Sequence, residues 1–213
     1  MKTYISTPNF DKLTGLYKKL IKCIISEKQF KNALIEQAEI QPEEHILDFG
    51  CGKLTLSLMM KQQHPKAFIT GVDVDNKVLA IAENKRFHSG LNIRIDKYDG
   101  GFLPYPDNTF DKVMSSLVFH QLSTIQKKQA IKEIFRVLNS DGEIHIADWG
   151  KPSNLLMEVL FFFLRLFNGF ENTSVNRKGE LLEFLMCHGF SYTFEGRKYD
   201  TLFGTIRLIK ARK

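Results

Sequence analysis

Between residues 45 and 148, short apolar runs alternate with amphipathic segments, and this alternation restricts the fold more than any other feature of the chain. Residues 45–48, 67–73, 91–96, 110–119 and 143–148 read as strands, and 54–61, 76–88 and 124–138 as the helices between them. Such alternation implies βαβ units and a mostly parallel sheet with helices on both faces, an α/β architecture. Right-handed crossovers then place ligands beyond the carboxyl ends of the strands. Two flanking regions differ. Leu13, Leu16, Tyr17, Leu20 and Ile24 recur at three- and four-residue steps with lysines between them, so the first forty residues read as helical. The tail reads as a helix over 177–188 and two β-rich runs, 190–199 and 203–211, which predict an antiparallel hairpin around Asp200 and Gly204. No repeat or linker divides the 213 residues, and one domain is expected.

Composition narrows the class of function. The longest apolar stretch, 155–167, contains Glu158 and Arg165 and is shorter than the roughly 20 residues a membrane span needs. The first ten residues are polar and show no export signal. Three widely spaced cysteines form no C-x-x-C pair, so no metal site is expected, and free thiols in a reducing cytoplasm are. The net charge of +6 favours anionic partners in general. No nucleic-acid signature accompanies it: neither N-P-P-Y nor D-P-P-Y follows the fourth strand, and no proline-cysteine nucleophile is present. A nucleic-acid partner is therefore not expected.

The first chemical feature is Asp48-Phe49-Gly50-Cys51-Gly52, directly after the first strand. Glycines there permit a tight turn and close approach of a ligand to the backbone. A dinucleotide fingerprint starting at Gly50 would need glycine at 55, where Thr55 stands, and Gly52-Lys53-Leu54 fails the phosphate-loop pattern. A carboxylate at Asp48 would repel a pyrophosphate and suits a ligand carrying positive charge; capping of the loop is its plainer role. The second feature is Asp73, which ends the second strand 21 residues after Gly52 and can accept hydrogen bonds from ribose hydroxyls. Asp75, on the next turn, is expected to cap the helix starting near Asn76. The third is Asp99, after the third strand, where a carboxylate can accept from an exocyclic amine of a ligand lying across the strand tips.

In this order the motifs D-x-G-x-G, a strand-ending acid and D-x-x-x-L-P-x-x-D-x-x-F-D (residues 99–111) resemble class I S-adenosylmethionine-dependent methyltransferases. The likeness is closest to the group that includes ubiquinone and menaquinone biosynthesis methyltransferases, and Phe135-Arg136-Val137-Leu138 before Asp141-Gly142 matches that group as well. It covers roughly residues 43–150. The resemblance implies a Rossmann-like seven-stranded sheet with its final pair reversed, and S-adenosyl-L-methionine as cofactor. It implies Gly50, Cys51 and Gly52 under the methionine part of the cofactor, with Asp48 near its amino end. Asp73 would meet the ribose and Asp99 the adenine amine, with Val74 and Gly100 beside the adenine ring and the Ser116 carbonyl facing the ammonium. The family often has a third glycine where this chain has Leu54.

On this reading residues 1–42 form a helical lid, 43–150 the cofactor core, and 151–213 substrate-side helices and the hairpin. Displacement at a sulfonium gives a neutral leaving group, so a base is needed only where the acceptor must lose a proton. His120, just past the fourth strand, is the candidate base; hydrogen bonding at the start of the next helix is its alternative role. Tyr17, Phe119 and Trp149 are expected on the acceptor side. The acceptor is expected to be a small molecule. The phenylalanine-rich segment 155–167 and the basic first helix also fit a lipid or isoprenoid met at a membrane surface. A non-catalytic cofactor-binding protein and a nicotinamide-dependent oxidoreductase are the competing readings.

Overall fold

The computed structural model describes residues 27–150, 181–201 and 204–213. Tyr17, the rest of the first predicted helix and the segment 155–167 lie outside them. In chain order the elements are α1 (Glu27–Ala38), β1 (His45–Phe49), α2 (Thr55–Gln63), β2 (Phe68–Asp73), α3 (Asn76–Ser89), β3 (Arg94–Lys97) and β4 (Phe110–Ser116). A 3-10 turn (Phe119–Gln121) leads to α4 (Thr124–Val137), β5 (Leu138–Gly150), α5 (Leu181–Met186), β6 (Tyr192–Thr201) and β7 (Gly204–Arg212).

The seven strands form one sheet in the order β3-β2-β1-β4-β5-β7-β6. The first five are parallel, and β7 runs antiparallel to both β5 and β6. Only β7 is therefore reversed, where the sequence predicts reversal of the final pair. The hairpin slots its second strand inside, against β5, and leaves β6 at the edge, parallel to the rest. The order turns back between β1 and β4, and the crevice that such a switch point makes at the carboxyl edge is where ligands of these folds bind.

Side chains alternate across the sheet because the strand period is two. Ile46, Ile69, Met114, Ala147, Ile206 and Leu208 pack with α1, α2 and α3 on one face. Leu47, Phe49, Val113, Ile144, Ile146 and Ile209 pack with α4 and α5 on the other. Helix α3 buries Leu79 and Ala82, whereas Ile81 is 42% exposed, although its apolar pattern at 78, 79, 81 and 82 predicts all four on the buried side. A second departure concerns residues 139–142, which are absorbed into β5 as a bulge. Between the pairs Phe110–Leu138 and Lys112–Glu143, two steps along β4 answer five along β5, with Asp141 at φ 64°. No helix among the described residues is long and apolar enough to cross a membrane.

Candidate functional site

The glycine loop leaves β1 by curling back on β2, with the amides of both Gly50 and Cys51 donating to the Val72 carbonyl at 2.9 and 3.0 Å. Gly50 (φ +72°) and Gly52 (φ +52°) take left-handed conformations that few other residues adopt. A side chain at Gly50 would strike Val118 at 2.5 Å, whereas the nearest atom to one at Gly52 is 3.9 Å away. The loop is thus braced by the β4 side and open above Gly52.

Leu54, where the resembling family often has glycine, has φ +65°. A left-handed leucine costs about 1–2 kcal/mol. Its side chain is fully buried beneath the loop, near Cys51 and Gly71, and this packing offsets the strain. The loop keeps its path because the leucine points into the core. Leu54→Gly is expected to relieve the strain and still lower stability by about 2 kcal/mol, since losing a buried leucine costs about 2–5 kcal/mol; denaturant unfolding measures the balance.

Asp73 does more than end β2. Its Oδ2 accepts from the Gly52 amide at 2.9 Å, and its Oδ1 from the Val74 and Asp75 amides at 2.7 and 3.1 Å. A carboxylate offers about four acceptor directions, so loop bonds engage most of them. Asp75 caps α3 as expected, accepting from Lys77 and Val78. Gly100 (φ +86°) lies beside Val74, whose Cγ1 a side chain at 100 would meet at 3.9 Å, in ordinary contact. Exposed Asp99 accepts from the Gly101 amide at 2.8 Å. Asp73, Val74, Asp99 and Gly100 therefore lie together at or past the carboxyl ends of β2 and β3. The segment carrying Asp99 is pinned to α4 by Arg136, which donates to the Leu103 and Tyr105 carbonyls and to Asp107, while buried Glu133 accepts from the Leu103 amide. This fastening is the physical content of the Phe135-Arg136-Val137-Leu138 motif.

Asp48 faces α2 and is sealed from solvent, bonded to the Ser57 hydroxyl. Burial pushes its carboxyl up to about 6, against the Ser57 bond and the Lys31 charge; the Asp73 charge pushes it further up. It therefore offers no surface of its own and lies as a sealed acid beneath the glycine loop. The folded state binds this proton more tightly than the unfolded chain, so stability falls as pH rises between about 4 and 6 and is level above. Asp48→Asn is expected to remove that slope and to raise stability at pH 7 by on the order of 3 kcal/mol, read from unfolding midpoints across pH. Cys51 is buried next to both acids, and burial with their charge pushes its thiol far above the ordinary range, so it packs and is no nucleophile.

Strand β4 ends at Ser116, whose buried hydroxyl has no hydrogen-bond partner, and Leu117 follows at φ 59°. Phe119 is fully buried, its ring 6.1 Å from that of Phe49. Its apolar ring anchors the turn in the core, and the polar neighbour His120 takes the outer position. His120 Nδ1 lies 2.8 Å from Asp148 Oδ1. Alternation along β5 sends Asp148 to the α4 face, and Trp149 packs on the α1 face with the Ile46–Ile206 cluster. The sequence marks Asp148 only as the end of an apolar run; its partner lies 28 residues away, beyond any local pattern. No cluster of potential metal ligands occurs among the described residues.

The donor set fits a cationic nucleoside ligand. Backbone glycine, a strand-end acid and an exposed acid lie along one edge, with a sealed negative charge below the loop and open space above Gly52. Residues 46–142 match the family model described as a methyltransferase domain. A demethylmenaquinone methyltransferase of Thermus thermophilus is 30% identical over 127 residues, 60% of this chain and 57% of that protein. A ubiquinone/menaquinone biosynthesis C-methyltransferase of Wigglesworthia glossinidia brevipalpis is 33% identical over 140 residues, 64% of this chain and 52% of that protein. The chain thus matches a little over half the length of these relatives. A solved SAM-dependent methyltransferase from Aquifex aeolicus superposes with a TM-score of 0.66 at 20% identity, covering 91% of this chain and 97% of that one.

Proposed function

We infer that this chain is built on a class I S-adenosylmethionine-dependent methyltransferase domain, and we propose that it methylates a small-molecule acceptor of the quinol type. The observation that carries the reading is the crevice edge itself: a glycine loop open above Gly52, backed by the sealed Asp48 and tied to Asp73. When bound, S-adenosylmethionine supplies an electrophilic methyl group on a sulfonium that leaves as a neutral thioether. The match over residues 46–142 supports the domain, and the names of the Thermus and Wigglesworthia proteins support the acceptor class.

The chain's own residues divide the work. Gly50 and Gly52, with the Cys51 side chain turned inward against Gly71, give a backbone path along which the amino-acid part of the cofactor lies. Asp73 meets the ribose hydroxyls with the acceptor capacity its loop bonds leave, and Val74 and Gly100 form the slot for the base, with Asp99 at its amine. The Ser116 carbonyl faces the ammonium at the β4 tip, where Asp48 adds long-range attraction. Most of the acceleration then comes from holding acceptor and methyl in line. A calorimetric titration with S-adenosylhomocysteine is expected to show saturable one-to-one binding, and NADH no binding. With S-adenosylmethionine and a chemically reduced demethylated naphthoquinol, mass spectrometry should find a product one methyl group heavier. Binding of NADH in place of the nucleoside thioether would sink the reading, and an unmodified quinol would sink the acceptor class.

A further inference from the structure

The acid–imidazole pair at the end of β5 has a geometry that structural capping alone does not require. Asp148 grips one short turn twice: Oδ2 accepts from the His120 backbone amide at 3.3 Å, and Oδ1 faces the His120 ring nitrogen Nδ1 at 2.8 Å. Oδ1 also accepts from the Trp149 amide at 2.7 Å. Both carboxylate oxygens thus act as acceptors, and the ring nitrogen facing them must carry the hydrogen. The Asp148 side chain is 1% exposed, but that of His120 is 22% exposed. The ring is therefore held at Nδ1 by a buried anion, while the side chain stays partly open to solvent. Phe119, buried against Phe49, and the Leu117 amide bonded to the Ala147 carbonyl at 2.8 Å fix the turn on both sides. Buried Lys127 on α4 lies within the field of Asp148.

We propose that Asp148 is the positioning residue of a proton-accepting pair. It holds His120 in the form protonated at Nδ1, so that Nε2, bare, takes a proton from the acceptor. This rests on the methyltransferase reading above and narrows it. In the step, the acceptor's O–H or acidic C–H bond breaks with both electrons left on the acceptor. The proton joins the Nε2 lone pair, and the imidazolium later releases it to water. The retained pair makes the acceptor the nucleophile. An amine already carries such a pair and needs no base before attack, so the arrangement selects a hydroxyl or an activated ring carbon. The buried carboxylate stabilises the imidazolium as it forms.

Long-range proton–nitrogen correlation spectra of imidazole-labelled protein test this without turnover. In the wild type, with the imidazole neutral, Nδ1 should appear protonated and Nε2 bare. Asp148→Asn should lose that preference and shift population to the Nε2-protonated form. An Nε2-protonated ring in the wild type overturns the proposal, and needs no variant to fold. Nδ1 protonation equally strong in a folded Asp148→Asn protein overturns the part given to Asp148. The S-adenosylhomocysteine titration on the same sample separates the two claims. Binding with the wrong tautomer defeats the pair alone, whereas no binding defeats the methyltransferase reading and this proposal with it.

Discussion

Asp73→Ala is expected to weaken S-adenosylhomocysteine binding about 100-fold, a loss on the order of 3 kcal/mol. Two losses combine. The ribose would lose its acceptor, and hydrogen bonds to a charged group contribute about 1.5–3 kcal/mol. The amides of Gly52, Val74 and Asp75 would also lose theirs, so the glycine loop would come free from the end of β2 before any ligand arrives. Calorimetry on the variant measures the sum, and Asp73→Asn separates the parts. The asparagine keeps one oxygen for the loop or the ribose but cannot serve both, so an intermediate affinity is expected. An affinity within threefold of wild type for Asp73→Ala would remove Asp73 from the site.

Gly50→Ala is the second large effect. The new methyl would sit 2.5 Å from a Val118 methyl, at φ +72°. The left-handed backbone alone costs about 1–2 kcal/mol, and overpacking a tight contact costs a further 1–3 kcal/mol or so. A fall in stability of about 3 kcal/mol is therefore expected in denaturant unfolding. Function should suffer more than stability, because relief of the clash pushes Val118, and Val118 adjoins the turn that carries His120. Gly52→Ala is the internal comparison. Its backbone is equally left-handed at φ +52°, but a side chain there meets nothing closer than 3.9 Å. Its stability cost should be confined to about 1–2 kcal/mol. Equal stability losses at the two positions would contradict the bracing of the loop by Val118.

The contrast between these glycines shows what was legible in the sequence and what was not. The strand–helix alternation and the spaced acids foretold the sheet and the Asp75 cap, because each depends on a local pattern of polarity or spacing. The reach of Asp73 into the loop was hidden, since a strand-end acid reads the same whether it meets a ligand or a backbone amide. Burial decides what polarity in the sequence leaves open. Strand alternation turns Asp48 toward Ser57, and Phe119 packs against Phe49. Trp149 packs on the other face of β5 from Asp148. The His120–Asp148 pair needs two strand ends brought together across 28 residues, which only the tertiary fold supplies. Leu54 is the reverse case. The sequence marks it as a departure, and the structure shows why it is tolerated: the strained backbone and the buried side chain belong to one residue.

A crystal structure of the protein with S-adenosylhomocysteine tests the central claim most directly. The account predicts the nucleoside thioether across the tips of β1, β2 and β4, its amino-acid part over Gly50–Gly52, its ribose hydroxyls on Asp73 and its base between Val74 and Gly100. A ligand bound elsewhere on the molecule, or a crevice that stays empty at saturating concentration, would contradict it.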